Sequence, residues 1–290
     1  MLSGSIVALI TPWTADGSRV DEKALAELVE WHIAQGTDAI VPCGTTGESP
    51  SFTHEEQHAT IAAVVQAVAG RIPVLAGTGS NNTREAVSLA EHAQRAGADA
   101  VLTITPYYNK PPQEGLFQHF KAVREAVSVP MVLYNVPGRT GINLLPETAA
   151  RVAELGGIEA VKEASGSLDQ ALDLLNHGVD VLSGEDGLTW PLMAIGAKGV
   201  IGVVSNFAPK LVHDMCAAAQ AGDMATAQEL HVVVHELTCW AFCETNPIPA
   251  KAAVSALGKC SEVLRLPLVP MSSDKKAGLL AAMRKHGLLD

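Results

Sequence analysis

Eight short β-rich runs recur along this chain, each followed by a stretch long enough for a helix, and this alternation narrows the possible folds more than any other feature. The runs cover residues 6–10, 39–41, 74–76, 100–105, 131–135, 159–163, 179–183 and 199–204. Successive runs are separated by roughly 20 to 35 residues, room for one helix and two loops. Residues 22–35, 54–68, 84–96 and 113–127 carry apolar side chains at helical spacing. Thr53 with Glu56 reads as a capping box, and Gly36, Gly70 and Gly97 stand just past expected helix ends. Eight strand–helix units favour a closed (β/α)8 TIM barrel; an open doubly wound sheet is the alternative that alternation alone leaves.

Past residue 225 the alternation stops, and residues 225–243, 249–257 and 273–286 read as helices only. The expected organisation is a catalytic barrel over 1–224 and a C-terminal helical domain over 225–290. A chain of 290 residues suits one barrel plus a small addition. The net charge of −11 argues against nucleic acid or an anionic membrane as main partner. No apolar run approaches the length of a membrane span, and the opening Met-Leu-Ser-Gly-Ser-Ile-Val lacks the pattern of a signal peptide, so a cytoplasmic protein is expected. Five cysteines without CxxC spacing read as reduced thiols. His231 and His235 have the i, i+4 spacing of zinc ligands, but Glu236 follows the second histidine and the segment lies in the helical addition; no metal and no cofactor is expected.

Barrel enzymes place their chemistry at the C-terminal ends of the strands. Reading only those positions gathers the unusual residues. Lys162 lies within the sixth run, on the same face as Ile158 and Ala160 by period two. A lysine buried among apolar groups is driven towards its neutral, nucleophilic form; the plainer reading is a lysine paired with a carboxylate. Tyr134 ends the neighbouring run, where a phenol beside an amine can relay protons; a rim tyrosine is the plainer reading. Gly44-Thr45-Thr46-Gly47 offers backbone N–H groups and two hydroxyls to a carboxylate, or is a simple tight turn. Walker spacing is absent, and Gly77-Thr78-Gly79 lacks the third glycine of a dinucleotide fingerprint. Arg139 follows Pro137-Gly138 above the fifth run and suits bidentate carboxylate binding, with a rim salt bridge as the alternative.

Taken together, Gly44-Thr45-Thr46-Gly47-Glu48, Ala76-Gly77-Thr78-Gly79, Thr105-Pro106-Tyr107-Tyr108-Asn109-Lys110-Pro111, Tyr134-Asn135-Val136-Pro137-Gly138-Arg139-Thr140-Gly141, Val161-Lys162-Glu163-Ala164, Ser183-Gly184-Glu185-Asp186 and Asn246-Pro247-Ile248-Pro249 make the whole chain resemble the dihydrodipicolinate synthase / N-acetylneuraminate lyase family. Arg139 and the Asn-Pro-Ile-Pro segment favour the synthase branch. The resemblance implies a lyase of the class I aldolase type, in which Lys162 forms a Schiff base with pyruvate and the resulting enamine attacks L-aspartate 4-semialdehyde, feeding lysine and diaminopimelate synthesis. It implies that Thr45 and Thr46 hold the pyruvate carboxylate, with the backbone at Gly184 and Ile201 nearby. Tyr134, Thr46 and Tyr108 would form a proton relay, Tyr108 crossing from another subunit of a homotetramer built as a dimer of dimers. Arg139 would take the semialdehyde carboxylate.

The resemblance also implies an allosteric lysine pocket at Ser49, His54, Asn81, Glu85 and Tyr107. Here Gln57 stands where lysine-inhibited relatives have a further histidine, and Pro50 where a small residue is usual. Strand eight reads Gly-Val-Val-Ser-Asn in place of Ser-Val-Thr-Ala-Asn. Two other readings remain: a sister aldolase acting on a sugar-derived keto acid, which would not need Arg139, and a non-catalytic paralogue that senses a keto acid, which would not need the Lys–Tyr–Thr set.

Overall fold

A computed structural model describes residues 2–290. The strands are β1 (Gly4–Ala8), β2 (Ala39–Val41), β3 (Leu75–Gly77), β4 (Ala100–Ile104), β5 (Met131–Asn135), β6 (Ile158–Glu163), β7 (Val181–Ser183) and β8 (Gly199–Gly202). All pair in parallel in the order β2-β1-β8-β7-β6-β5-β4-β3. A parallel bridge between Ile40 and Val74, with Gly77 N–H donating to Pro42 O at 3.0 Å, joins β2 to β3 and closes the (β/α)8 TIM barrel. The open-sheet alternative is thereby excluded.

The outer helices are α1 (Glu22–Ala34), α2 (His54–Val68), α3 (Thr83–Arg95), α4 (Gln113–Ala126), a single turn α5 (Pro137–Thr140), α6 (Pro146–Ala153), α7 (Leu168–Asn176), α8 (Thr189–Ala194) and α9 (Pro209–Gln220). Their starts follow local chemistry. Asp21, Asn82 and Ser167 cap α1, α3 and α7, and Thr53 with Glu56 forms the reciprocal capping box of α2.

Strand alternation sorts the core into two shells. Ile6, Ala8, Val41, Leu75, Leu102, Val132, Ala160, Leu182 and Ile201 fill the barrel. Leu133, Val161 and Val181 point outwards, under the helices. Three further helices, α10 (Met224–Ala241), α11 (Ile248–Ala256) and α12 (Ser273–Lys285), fall within two residues of the helix-only stretches of the sequence. Val234, Leu237, Ala253 and Met283 share one apolar cluster with Leu9, Ile10 and Phe207 of the barrel.

Two strands end two residues earlier than their apolar runs. After Ala8 the chain leaves the ladder, because Ile10 N–H donates to the Asn206 side chain at 2.9 Å. β8 stops at Gly202, where the N–H groups of Val203 and Val204 turn to the Asp186 carboxylate at 2.9 to 3.1 Å. A buried side-chain acceptor has displaced a strand partner in each case.

Candidate active site

At the C-terminal mouth of the barrel lies a cavity of about 540 Å³. Lys162 and Tyr134 meet in it. Parallel pairing of β5 with β6 sets the two directly opposite each other, and Lys162 Nζ stands 4.3 Å from the centre of the Tyr134 ring. Lys162 is only 6% exposed. Burial depresses its ammonium to about 7; Asp186 pulls the value back up and Arg139 pushes it further down. Among the described residues no carboxylate lies within ion-pair distance of Nζ, so the paired-lysine reading does not hold. Tyr134 moves the other way, to about 12, chiefly because burial disfavours the phenolate. At neutral pH the pair is therefore an amine about half in its neutral form beside a protonated phenol.

These values give the sign of a pH dependence. The nucleophile is the neutral amine, which dominates above about pH 7 and is lost as protons bind below it. The rate of imine formation with a keto acid should level off above pH 7 to 8 and fall about tenfold per pH unit below the Lys162 pKa. Stopped-flow or quenched trapping across pH 5 to 10 reads this; a rate still climbing between pH 9 and 10 would mean the amine is not depressed.

Thr45 and Thr46 border the cavity from the β2 loop. Gly77 and Gly79 let the neighbouring strands come close: a Cβ on Gly77 would sit 2.3 Å from Cys43 O, and one on Gly79 2.5 Å from Ile104 Cγ2. Thr46 Oγ1 accepts from Asn246 Nδ2 at 2.9 Å. Arg139 borders the same space, with one bond to protein, from Nη2 to Asn246 O at 3.1 Å. It has no acidic partner among the described residues, so the rim salt bridge is absent. Gly184 also lines the cavity, whereas the Ile201 side chain packs inside the barrel.

The remaining sequence candidates lie elsewhere in the single chain. Tyr108 is 88% exposed on the β4–α4 loop with φ 71°, and Tyr107 beside it is also exposed. Of the five allosteric candidates only Ser49 borders the cavity. Glu85 accepts from Ser80 Oγ at 2.7 Å, Asn81 O accepts from Asn109 Nδ2 at 2.9 Å, and His54 is exposed.

Asp186, Glu185 and Asn246 also line the cavity, though sequence reasoning gave them no role. Asp186 is fully buried, and its carboxyl is raised by that burial against the pull of the Val203 and Val204 amides. It reaches those amides only because residue 202 is glycine; a Cβ there would lie 2.5 Å from Oδ1. The contact is made by the backbone N–H groups of Val203 and Val204, so it does not depend on the side chain at 204, where valine replaces the threonine of the family pattern. The Glu185 carboxyl is likewise raised, first by burial and then by Glu163 and Asp186.

The chain matches the Dihydrodipicolinate synthetase family over residues 1–286. The chain belongs to that family. It is 52% identical over 292 residues to the 4-hydroxy-tetrahydrodipicolinate synthase of Geobacter sulfurreducens, covering all of both chains. The chloride-inhibited dihydrodipicolinate synthase of Acinetobacter baumannii, solved with pyruvate, superposes with a TM-score of 0.97 at 46% identity, covering 100% of both chains. A dihydrodipicolinate synthase variant described as monomeric superposes at 0.96 with 40% identity, covering 99% of this chain and 98% of its own. No described helix is long and apolar enough to cross a membrane.

Proposed function

We propose that this member of the dihydrodipicolinate synthetase family condenses pyruvate with L-aspartate 4-semialdehyde to 4-hydroxy-tetrahydrodipicolinate. The observation that carries the reading is the buried Lys162 amine, lowered to about 7, facing Tyr134 in a cavity that also holds a carboxylate-binding loop and an arginine without an acidic partner. The neutral amine attacks C2 of pyruvate, and loss of water leaves an iminium on Lys162. The iminium draws electrons from C3, a methyl proton departs, and an enamine forms. C3 then attacks the aldehyde carbon, whose oxygen takes a proton. The substrate amine adds to C2, displacing Lys162 and closing the ring.

Thr45 and Thr46 hold the pyruvate carboxylate with the backbone at Gly184 and Ile201. Tyr134, with its proton held tightly, donates and recovers protons through Thr46 and a Tyr108 supplied by another copy. The exposure and positive φ of Tyr108 support that role, since among the described residues no hydrogen bond holds its side chain outward. Leu168 and Leu172, one turn apart and exposed on α7, offer a second apolar contact for a homotetramer arranged as a dimer of dimers. Residues 225–290 act as a helical domain bracing the barrel of 1–224, in a cytoplasmic enzyme. A sister aldolase for a sugar-derived keto acid gives no use for the unpaired Arg139. A coupled assay with pyruvate and L-aspartate 4-semialdehyde, set against N-acetylneuraminate and 2-keto-3-deoxygluconate, decides; turnover of either sugar acid in preference would overturn the reading.

Lysine is expected to inhibit weakly or not at all. Gln57 is buried and its Nε2 already donates to Gly77 O at 2.9 Å, so it offers little to a ligand and cannot become cationic. Pro50 lies in the short 3-10 turn Ser49–Ser51, on the path from the pocket candidates to Thr46. Inhibition requires lysine to bind two states of the site unequally. Lysine titration of activity beside calorimetry tests this; near-complete inhibition at sub-millimolar lysine would contradict it.

A further inference from the structure

Directly behind Thr46 the structure buries a full ion pair that the chemistry above does not use. Lys251 Nζ lies 2.9 Å from Glu48 Oε1, with the two side chains 0% and 1% exposed. Glu48 also accepts from Trp13 Nε1 at 2.9 Å and, through its other oxygen, from the Arg265 N–H at 3.0 Å. Lys251 completes its three donors with Thr11 O and with Val263 O at 3.1 Å. Every donor of the ammonium and both carboxylate oxygens are engaged. Such pairs seldom stabilise a fold more than well-packed apolar side chains of similar size would, because removing both charges from water is costly. What they supply is a defined position.

The position they define is that of the β2 loop. Three consecutive loop residues are each held by a different outside group: Thr46 Oγ1 by Asn246, Gly47 O by Thr11 Oγ1 at 2.7 Å, and the Glu48 side chain by Lys251. Two of the three holds come from one short stretch of chain, since Lys251 lies in the first turn of α11 (Ile248–Ala256) and Asn246 two residues before it. The third is tied in as well, because Thr11 receives a bond from Lys251. Glu48 keeps a left-handed backbone with φ 61°, a conformation in which glycine would be less strained, so the requirement lies in its side chain.

We propose that Glu48 and Lys251 are positioning residues, through which α11 holds the Thr45–Thr46 hydroxyls in register for the pyruvate carboxylate. This rests on the reading of Thr45 and Thr46 as the carboxylate-holding pair. The helical addition thereby acts on substrate binding from outside the cavity.

The test compares the parent with Glu48→Met/Lys251→Met, with Thr11→Val and with Thr46→Val, measuring Tm, KM for each substrate and the pyruvate concentration giving half-maximal borohydride trapping on Lys162. Single charge removals would leave a buried ion and are avoided. The double methionine variant should melt near the parent yet need about tenfold more pyruvate for half-maximal trapping, with KM for the aldehyde changed less than about twofold. Thr11→Val, which removes only the bond to Gly47 O, should shift pyruvate handling the same way by a few-fold and decides the matter if the double variant does not fold. A folded variant with parental pyruvate handling overturns the inference, provided Thr46→Val weakens trapping. If Thr46→Val itself leaves trapping unchanged, the reading of the loop fails instead.

Discussion

Replacing Lys162 with methionine should lower kcat/KM by about 10³-fold or more while leaving the protein as stable as the parent or more so. The two halves of this expectation come from the same observation. Burial, the largest influence on Lys162, lowers its pKa to about 7, whereas an unfolded lysine keeps its ordinary value near 10.4. Between those values the unfolded chain binds a proton that the folded chain does not, so this group's contribution to stability rises with pH across the window and is least favourable at neutral pH and below. Methionine fills nearly the same space without needing a charge or a desolvated amine. The variant should therefore gain most in Tm at pH 7 and below, and that gain should shrink towards pH 10. Activity assays beside thermal melts at several pH values check this. A variant that loses activity and also melts well below the parent would mean that Lys162 serves the fold.

Arg139→Ala should reduce kcat/KM for the aldehyde by about 2 to 4 kcal/mol, or roughly 30- to 1,000-fold, because a bidentate charge-assisted contact is lost. Its guanidinium touches the protein through one bond to Asn246 O, so most of its donors are open to the cavity. Imine formation with pyruvate should survive. The Lys162 amine should also become slightly easier to protonate, since Arg139 contributes to holding its pKa down. The pyruvate-trapping profile of the variant should thus move a little to higher pH. Equal losses in pyruvate trapping and aldehyde turnover would identify Arg139 as a structural residue.

What could be read in the sequence depended on distance along the chain. Period-two alternation put Lys162 on the inner face of its strand, and one strand–helix unit separated it from Tyr134, so their approach followed from the barrel itself. The capping box at Thr53 and Glu56 was equally local. Asn246 and Thr46, 200 residues apart, touch because the C-terminal helices fold back over the barrel mouth, and no spacing in the sequence announces that contact. The Glu48–Lys251 pair was hidden for the same reason. Asp186 was invisible as a partner of β8 because its bonds are to backbone N–H groups and depend on the missing side chain of Gly202. Tyr108 is the reverse case. Its motif was legible, but a single chain leaves it facing solvent.

The central claim is that the Lys162 amine becomes covalently bonded to the keto carbon of pyruvate. Incubating the protein with pyruvate and sodium borohydride, then measuring intact mass and mapping peptides, tests it directly. One reduced pyruvyl group per chain is expected, on the peptide containing Val161-Lys162-Glu163, formed more slowly as the pH drops below about 7. No adduct, or an adduct on any other lysine, would contradict it.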